Sequence, residues 1–208
     1  MKVKICGILD VTTAKTAVEY GSDAIGFVFA DSKRKIDPKT ARAIVRELPK
    51  NILKIGVFVN ETKEVMEKVA SYVGLTHLQL HGRETPDFCQ TLSLPVIKAI
   101  SVSSKEDIGF SRQFSCEYIL LDGPKGRYQG GNGETFDWTH IKQETLSKRK
   151  WILAGGLTNE NVRIAIQETH PYMVDVSSGV ETNGVKDLRK IKSFIEKAKG
   201  ARTGGEIG

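Results

Sequence analysis

The sequence predicts a single-domain (β/α)8 TIM barrel, an α/β fold of eight parallel strands with outer helices. Short apolar runs rich in β-branched residues recur along the whole chain, and segments with helical periodicity separate them. Strands joined by crossover helices must run parallel, and such crossovers are right-handed. The 208 residues accommodate eight strand–helix units of roughly 25 residues each, at the low end of barrel sizes.

Each strand–helix unit can be located from local signals. The predicted strands are residues 3–6, 24–29, 53–59, 77–80, 96–99, 118–121, 151–154 and 173–177. The helices that follow them are predicted at residues 12–20, 38–48, 62–73, 86–92, 105–113, 138–146, 159–168 and 186–199. Asp10 and Asp37 are predicted to cap the first two helices, and the proline after Asp37 suits a first helical position.

An open doubly wound sheet is the alternative to a barrel. It predicts a glycine-rich dinucleotide-binding turn after the first strand, and Cys6-Gly7-Ile8 lacks that pattern. The chain carries no linker and no low-complexity tract, so we expect one catalytic barrel domain over residues 1–200. The glycine-rich segment 201–208 lacks periodicity and is predicted to be a flexible tail.

Composition argues against several classes of protein. The net charge is +6, but the basic residues are scattered and lack interleaved aromatic residues, so we expect no nucleic-acid partner. No apolar run approaches the roughly 18 residues of a membrane span, and the charged start does not resemble a signal peptide. Three cysteines without CxxC spacing indicate neither a disulfide framework nor a zinc site. A cytoplasmic location without membrane contact is therefore expected.

The candidate catalytic residues stand at the carboxyl ends of the first and sixth strands, where the chemistry of parallel barrels collects. The first strand ends at Cys6, and the sixth is followed by Asp122. Alternation along the first strand turns Val3 and Ile5 toward the helices and Lys4 and Cys6 into the barrel. A thiol and a carboxyl on different strands suggest a base and an acid facing one substrate. The alternative for Cys6 is a small buried apolar residue.

The same alternation directs three further polar side chains inward. They are Gln79 and His81 near the end of the fourth strand, and Asp175 on the eighth. We expect them to face the substrate. A histidine in such a position can also be a hydrogen-bonded scaffold group without a catalytic role.

Glycine-rich loops after the last two strands predict a phosphate site. Gly155 and Gly156 follow the seventh strand, and Ser177, Ser178 and Gly179 close the eighth. Exposed backbone N–H groups at these two strand ends form the usual phosphate cradle of a barrel. Each glycine alone is also consistent with an ordinary turn.

Two other loops carry functional candidates. The connection after Asp122 is the longest, and it contains Gly130, Gly131 and Gly133, which predict a lid over the barrel mouth. A merely slack loop is the alternative. Arg34, in the basic loop after the second strand, is predicted to clamp a carboxylate, a task that its planar fork performs better than lysine. A solvated basic turn is the other interpretation.

A series of motifs runs from Lys2 to about Lys199 in a recognisable order. They are Lys4-Ile5-Cys6-Gly7, Gly26-Phe27-Val28-Phe29, Ser32-Lys33-Arg34, Gly56-Val57-Phe58-Val59-Asn60, Gln79-Leu80-His81-Gly82, Leu121-Asp122, residues 130–138, Ala154-Gly155-Gly156-Leu157 and residues 175–181. Together these motifs resemble the phosphoribosylanthranilate isomerase family of tryptophan biosynthesis. None of them would suffice alone.

The resemblance implies a barrel that acts on a small phosphosugar without a cofactor or metal. It implies that Cys6 is the general base, Asp122 the general acid and Arg34 the ligand of the anthranilate carboxylate, with the glycine loops holding phosphate. Two departures are small: Asn132 stands where a serine or threonine is common, and Gly123 follows the acid. These differences concern loop dynamics more than chemistry.

The implied reaction is an Amadori rearrangement of N-(5-phosphoribosyl)anthranilate to the 1-deoxyribulose 5-phosphate isomer. Asp122 would protonate the ring oxygen as the furanose opens, and this requires that it hold a proton. Cys6 would then remove the C2 hydrogen as a thiolate, favoured by Lys4 one pleat below. The substrate nitrogen serves as the electron sink, so the chemistry needs no metal.

Other functions remain open at this point. A histidine-pathway isomerase runs the same rearrangement, but that family uses two aspartates, and Cys6 argues against it. Indole-glycerol-phosphate synthase would need a lysine-rich site and an additional amino-terminal segment. A catalytically silent phosphosugar-binding module is a third alternative, against which the presence of both proton-transfer residues argues. The sequence leaves open whether the chain is a monomer or a homodimer.

Overall fold

A computed structural model describes residues 1–123, 137–141 and 149–201. Eight strands form a closed barrel in sequence order, all neighbours run parallel, and the last strand pairs with the first. The strands are β1 (Lys2–Cys6), β2 (Ala24–Val28), β3 (Leu53–Phe58), β4 (His77–Leu80), β5 (Val96–Ser101), β6 (Tyr118–Asp122), β7 (Lys150–Leu153) and β8 (Met173–Val176). The predicted barrel is confirmed.

Helices lie between these strands and follow β8. They are α1 (Val11–Glu19), α2 (Pro38–Arg46), α3 (Lys63–Val73), α4 (Pro86–Gln90), α5 (Lys105–Phe110), α6 (Val162–Thr169) and α7 (Leu188–Lys199). Both predicted caps are confirmed, since Asp10 accepts a hydrogen bond from the backbone N–H of Thr13 and Asp37 accepts one from Thr40. In the part of the chain that the structure describes, no helix has the length and hydropathy to cross a membrane.

The hydrophobic core has two layers, as alternation along barrel strands requires. Side chains that point outward, among them Val3 and Ile5, pack with the helices in the larger layer. Side chains that point inward fill the barrel interior, including Ala24, Ile55, Ile97, Leu120, Ile152 and Met173. Because this plug fills the barrel, the remaining open space lies at the carboxyl ends of the strands.

The last helix begins at Leu188, two residues later than predicted, because a small hairpin precedes it. This hairpin pairs β9 (Glu181–Thr182) with β10 (Val185–Lys186) in antiparallel register. Its two-residue turn is Asn183-Gly184, and both residues have positive φ, 52° and 80°. That is the conformation that an Asn-Gly hairpin turn requires. Glu181 and Lys186 become direct cross-strand partners.

Three predicted segments are described only in part. Of the predicted helix 138–146, the structure describes a 3-10 turn at Trp138–His140, and residues 142–148 lie outside the described ranges. The predicted lid glycines Gly130, Gly131 and Gly133 also lie outside them. Ala201, the first residue of the predicted tail, is buried in the core, and residues 202–208 are not described.

Candidate active site

A cavity of about 490 Å³ opens at the carboxyl ends of the strands. Almost all predicted site residues in the described ranges line it, and they come from six of the strands or the loops that follow them. They are Cys6, Arg34, Gln79, His81, Asp122, Gly155, Gly156, Asp175, Ser177 and Ser178. The structure therefore brings together residues from both ends of the chain, from Cys6 to Ser178.

Gly26 makes room for the Cys6 thiol. These residues are partners in the β1–β2 register, and a Cβ atom at Gly26 would lie 2.8 Å from Cys6 Sγ and 3.0 Å from Lys4 Nζ. Any larger residue would displace both groups. The glycine in β2 is thus part of the site, although it contributes no reactive atom.

The thiol of Cys6 is 8% exposed and lies beside a buried ion pair. Lys4 is completely buried, and its Nζ lies 2.9 Å from Asp175 Oδ2. Burial has the largest effect on the pKa of Cys6 and raises it. The Lys4 ammonium lowers this pKa, whereas the Asp175 carboxylate raises it. The net result is a thiol pKa above its usual value. Lys4 thus acts in the direction that the sequence predicted, but burial outweighs it.

Lys4 keeps its charge in this environment. Burial alone would lower the pKa of its ammonium, but Asp175 and Cys6 raise it, and the balance is upward. The second carboxylate oxygen of Asp175, Oδ1, is buried and has no hydrogen-bond partner among the described residues. A fixed positive charge therefore stays next to the thiol through the neutral pH range.

Asp122 ends β6, and both of its carboxylate oxygens have partners. Oδ1 accepts a hydrogen bond of 2.9 Å from the backbone N–H of Gly123, and Oδ2 lies 3.1 Å from His81 Nε2. On the far side of the imidazole, Nδ1 lies 3.2 Å from the amide of Gln79, which is 1% exposed. The three residues form a continuous chain of polar contacts that reaches the cavity.

Arg34 is buried rather than solvated, which excludes the interpretation as a free basic turn. Its Nε and Nη2 donate to the two carboxylate oxygens of Glu181 at 2.6 and 2.9 Å. Glu181 also accepts from Lys186 Nζ at 2.6 Å. Burial would raise the pKa of Glu181, but the hydrogen bonds from Arg34 and Lys186 lower it more, so its carboxylate is ionised. A Cβ atom at Gly7 would lie 2.6 Å from Arg34 Cδ, so Gly7 allows this packing.

The β9–β10 hairpin connects this ion cluster to the predicted phosphate loop. Lys186 Nζ donates to the carbonyl oxygen of Ser177 at 3.0 Å, and Ser177 Oγ donates to the carbonyl oxygen of Cys6 at 3.1 Å. Burial lowers the pKa of Lys186 although Glu181 acts to raise it. The loop after β8 is thereby fixed to both the hairpin and β1.

The predicted phosphate glycines have different roles. Gly155 and Gly156 line the cavity with φ values of 80° and 60°, a conformation that side chains rarely tolerate. A Cβ atom at Gly155 would also collide with the backbone of Gly123. Gly179 is not among the lining residues, and a Cβ atom there would collide with the carbonyl of Leu157. Its absent side chain lets the loops after β7 and β8 approach each other.

Within the described ranges, no three His, Cys, Asp or Glu side chains are grouped as metal ligands would be. The cavity instead offers a thiol, an aspartate–histidine pair, an arginine and glycine-rich backbone. Such a set suits proton transfer on an anionic substrate that is held at both ends.

Comparison with known proteins places this constellation in a family. The family model described as N-(5'phosphoribosyl)anthranilate (PRA) isomerase matches residues 3–197. The chain belongs to this family. An N-(5'-phosphoribosyl)anthranilate isomerase of Bacillus cereus is 56% identical over 202 residues, which are 96% of this chain and 98% of that protein.

Solved structures of family members support the same assignment. Phosphoribosyl anthranilate isomerase from Thermotoga maritima has a TM-score of 0.88 at 46% identity, with 96% of this chain and 99% of that chain covered. A second structure is a complex with reduced 1-(o-carboxyphenylamino)-1-deoxyribulose 5-phosphate, at TM-score 0.85, 45% identity and the same coverage. This similarity extends over the whole described barrel and is not limited to single motifs.

Sequence reasoning missed two members of the site within this family fold, Glu181 and Lys186. The sequence pattern predicts a helix that begins at residue 186 and no strand between residues 177 and 186, so it does not indicate the cross-strand pair. The signal was present as Asn183-Gly184, the strongest short-range indication of a hairpin. It would have placed an acidic and a basic residue opposite each other next to the eighth strand.

Proposed function

We propose that this chain catalyses the Amadori rearrangement of N-(5'-phosphoribosyl)anthranilate to 1-(2-carboxyphenylamino)-1-deoxyribulose 5-phosphate, a step of tryptophan biosynthesis, without a cofactor. The observation that carries the proposal is one cavity, in a member of this isomerase family, that contains both a buried thiol and an aspartate. The relative solved with the reduced 1-(o-carboxyphenylamino)-1-deoxyribulose 5-phosphate supports the class of ligand.

Asp122 is the proposed general acid. The first barrier is opening of the furanose ring, in which the ring oxygen must gain a proton as the anthranilate nitrogen forms an iminium. Asp122 lines the cavity at the end of β6, and its Oδ2 lies 3.1 Å from His81 Nε2. Proton transfer from a positioned acid contributes about 10²–10⁴-fold.

Cys6 is the proposed general base. The iminium acidifies the hydrogen on sugar C2, and the thiolate removes it to give an enolamine that tautomerises to the ketone. Burial raises the thiol pKa in the free protein, while Lys4 favours the thiolate. The cationic iminium adds a second positive charge next to the sulfur, so deprotonation becomes easier when the base is needed.

Arg34 and the glycine loops are the proposed substrate handles at the two ends of the cavity. Among the described residues, Glu181 accepts from Nε and from one hydrogen of Nη2, and Nη1 is the nitrogen that we assign to the anthranilate carboxylate. Gly155, Gly156, Ser177 and Ser178 line the cavity at the ends of β7 and β8, and they are the proposed phosphate site. Gly179 contributes through packing. Asp175, His81 and Gln79 complete the wall between these handles.

Every proposed site residue belongs to one chain, so the chemistry does not require a second copy; both a monomer and a homodimer are compatible with it. A cytoplasmic location fits the chemistry, since the substrates are phosphorylated metabolites. These two points belong to the proposal and are tested by sedimentation velocity and by cell fractionation.

The deciding experiment is turnover of freshly prepared phosphoribosylanthranilate, followed as a change in anthranilate fluorescence. Enzymatic conversion with competitive inhibition by inorganic phosphate is the expected result. The histidine-pathway aminoimidazole ribotide substrate is assayed in parallel. Turnover of that compound alone, or binding of the reduced product analogue without any turnover, would overturn the proposal.

A further inference from the structure

Gln79, His81 and Asp122 form a chain of side chains in which the hydrogen-bonding role of each group depends on its neighbour. His81 Nε2 lies 3.1 Å from Asp122 Oδ2, and His81 Nδ1 lies 3.2 Å from the Gln79 amide. Gln79 and Asp122 are buried, at 1% and 6% exposure. Water therefore has little access to the ends of this chain, and each group depends on its neighbour for hydrogen bonds.

The amide of Gln79 is satisfied on one side only. Its Nε2 faces the imidazole, whereas the buried Oε1 has no hydrogen-bond partner among the described residues. A rotation of the carboxamide by half a turn exchanges the two atoms. Gln79 can therefore either donate to a bare Nδ1 or accept from a protonated Nδ1.

The number of protons on the Asp122–His81 pair determines which orientation of the Gln79 carboxamide can hydrogen-bond to Nδ1. When the pair carries the proton that ring opening needs, it is either a carboxylic acid facing a bare Nε2 or a carboxylate facing an imidazolium. Nδ1 bears a hydrogen in both forms, and it then needs an acceptor. When the proton has been delivered, the neutral imidazole turns its N–H toward the carboxylate, and Nδ1 is bare.

We propose that Gln79 is a positioning residue that supports the proton-loaded state of the Asp122–His81 pair, with its amide oxygen accepting the Nδ1 hydrogen of His81. The inference rests on the proposed function, since it assigns the stored proton to the ring oxygen of the substrate. In the imidazolium form of the loaded state, the hydrogen bond to Gln79 is charge-assisted, and such bonds are about twice as strong as neutral ones. The loaded state therefore gains more from Gln79 than the unloaded state does.

The loop after β4 fixes the imidazole in this position. The backbone N–H of His81 donates to the carbonyl of Phe58 at 2.9 Å, and that of Gly82 donates to Glu84 Oε2 at 3.0 Å. Glu84 in turn accepts from Lys98 Nζ at 2.7 Å. The backbone that carries the ring is thus fixed independently of Gln79, and the ring keeps its contact with Asp122 when Gln79 is replaced.

Other titratable groups surround the pair and set the background against which Gln79 acts. On the cavity side they are Cys6, Asp31, Arg34, Lys35, Glu61 and Asp175. In the smaller pocket on the other side of His81 they are Arg83, Glu84, Lys98 and Asp107. A Gln79 substitution leaves all of them in place, so a shift in the pair's titration reports the amide.

The test compares Gln79→Met with Gln79→Glu. Methionine keeps the length but cannot accept the Nδ1 hydrogen well, whereas glutamate is an acceptor only. We expect the pH dependence of kcat/KM to have two limbs, and the limb that matches the pH dependence of Cys6 alkylation by iodoacetamide belongs to the thiol. The other limb belongs to the pair. Gln90→Met, an exposed glutamine on α4, is the matched control.

We expect the pair's limb to move to lower pH by about one unit in Gln79→Met and to higher pH in Gln79→Glu, with the alkylation midpoint unchanged. In the wild type, ¹⁵N NMR of His81 should show a protonated Nδ1 on the low-pH side of that limb. If the pH midpoint of the pair's limb is unchanged in both variants, the inference is overturned. An unprotonated His81 Nδ1 at low pH would also overturn it. A merely structural role would lower kcat/KM at all pH values alike.

The experiments distinguish a failure of the proposed function from a failure of the inference about Gln79. If the wild type does not turn over phosphoribosylanthranilate, the kinetic limbs vanish, and the NMR titration of His81 in Gln79→Met and Gln79→Glu then decides the inference alone. If the wild type is active but the variants titrate like it, the isomerase stands and the role of Gln79 falls. If Gln79→Met does not fold, Gln79→Glu carries the comparison.

Discussion

On the side of the cavity formed by β8, β1 and the loop after β2, charged groups are paired with one another: Lys4 with Asp175, and Arg34 and Lys186 with Glu181. On the opposite side, formed by β4 and β6, the polar groups are Asp122, His81 and Gln79. The first side contains charged groups that are held in ion pairs. The second contains the carboxyl and the imidazole to which the proposed mechanism assigns proton transfer.

This difference separates two tasks. Paired ions with depressed acidic pKa values, such as Glu181, keep their charge across the neutral range and give the substrate a fixed electrostatic frame. On the other side, the proposed mechanism uses Asp122, next to His81, to deliver a proton to the substrate. Substitutions on the ionic side should therefore change substrate binding, and those on the other side should change turnover. Cys6 is the exception, a titrating group placed among ions.

The largest effect is expected on the titrating side, for Asp122→Asn. The amide cannot supply a proton to the ring oxygen, so kcat should fall by about 10²–10⁴-fold with KM little changed. Steady-state kinetics check this, with Asp87→Asn on the exposed face of α4 as the control. More than about a tenth of the activity remaining would show that Asp122 is not the acid.

The next largest effect is expected for Cys6, the titrating group that lies among the ion pairs. Cys6→Ser replaces the base with a hydroxyl of far higher pKa, and activity should fall by at least about 10²-fold. Burial raises the thiol pKa, so alkylation by iodoacetamide should accelerate with pH through a midpoint above the usual value of 9.0. Bound product analogue should protect the thiol. Cys116→Ala is the control; near-normal turnover of Cys6→Ser would contradict the mechanism.

Arg34→Ala and Glu181→Gln test the ionic frame itself. Loss of the guanidinium should weaken binding of the reduced product analogue by roughly 2–4 kcal/mol, a factor of about 30 to 1000. Glu181→Gln keeps Arg34 but removes the carboxylate that holds its guanidinium in place. We therefore expect a smaller loss of inhibitor affinity, of roughly tenfold. Both should raise KM more than they lower kcat. If Arg34→Ala leaves inhibitor affinity unchanged, the arginine does not hold the carboxylate.

The sequence was sufficient for the barrel because local and global signals agree: alternation placed Val3 and Ile5 outward, and the carboxyl ends of β1 and β6 had to meet at one rim. What it did not reveal depends on long-range contacts. The partnership of Arg34 with Glu181 spans 147 positions, and the net pKa of Cys6 depends on burial, which competes with Lys4. Gly179 shows a third limit, since a glycine motif does not tell phosphate contact from loop packing.

The smallest effect concerns the ion pair beside the thiol, and its sign is fixed by the geometry. Asp175 raises the pKa of Cys6 and Lys4 lowers it. Asp175→Asn leaves the ammonium next to the sulfur without its counterion, so the alkylation midpoint should move to lower pH. Lys4→Met leaves the carboxylate and removes the cation, so the midpoint should move to higher pH. We expect shifts of about one unit or less.

The two variants control for each other, because both break the same 2.9 Å ion pair and share any general cost of breaking it. A purely structural disturbance would shift the midpoint in the same direction in both, or would change only the maximal rate of alkylation. Opposite shifts would show that the ionic side of the cavity tunes its one titrating group by charge. Shifts of the same sign would mean that burial alone controls Cys6, and the contrast between the two sides would then not extend to the thiol.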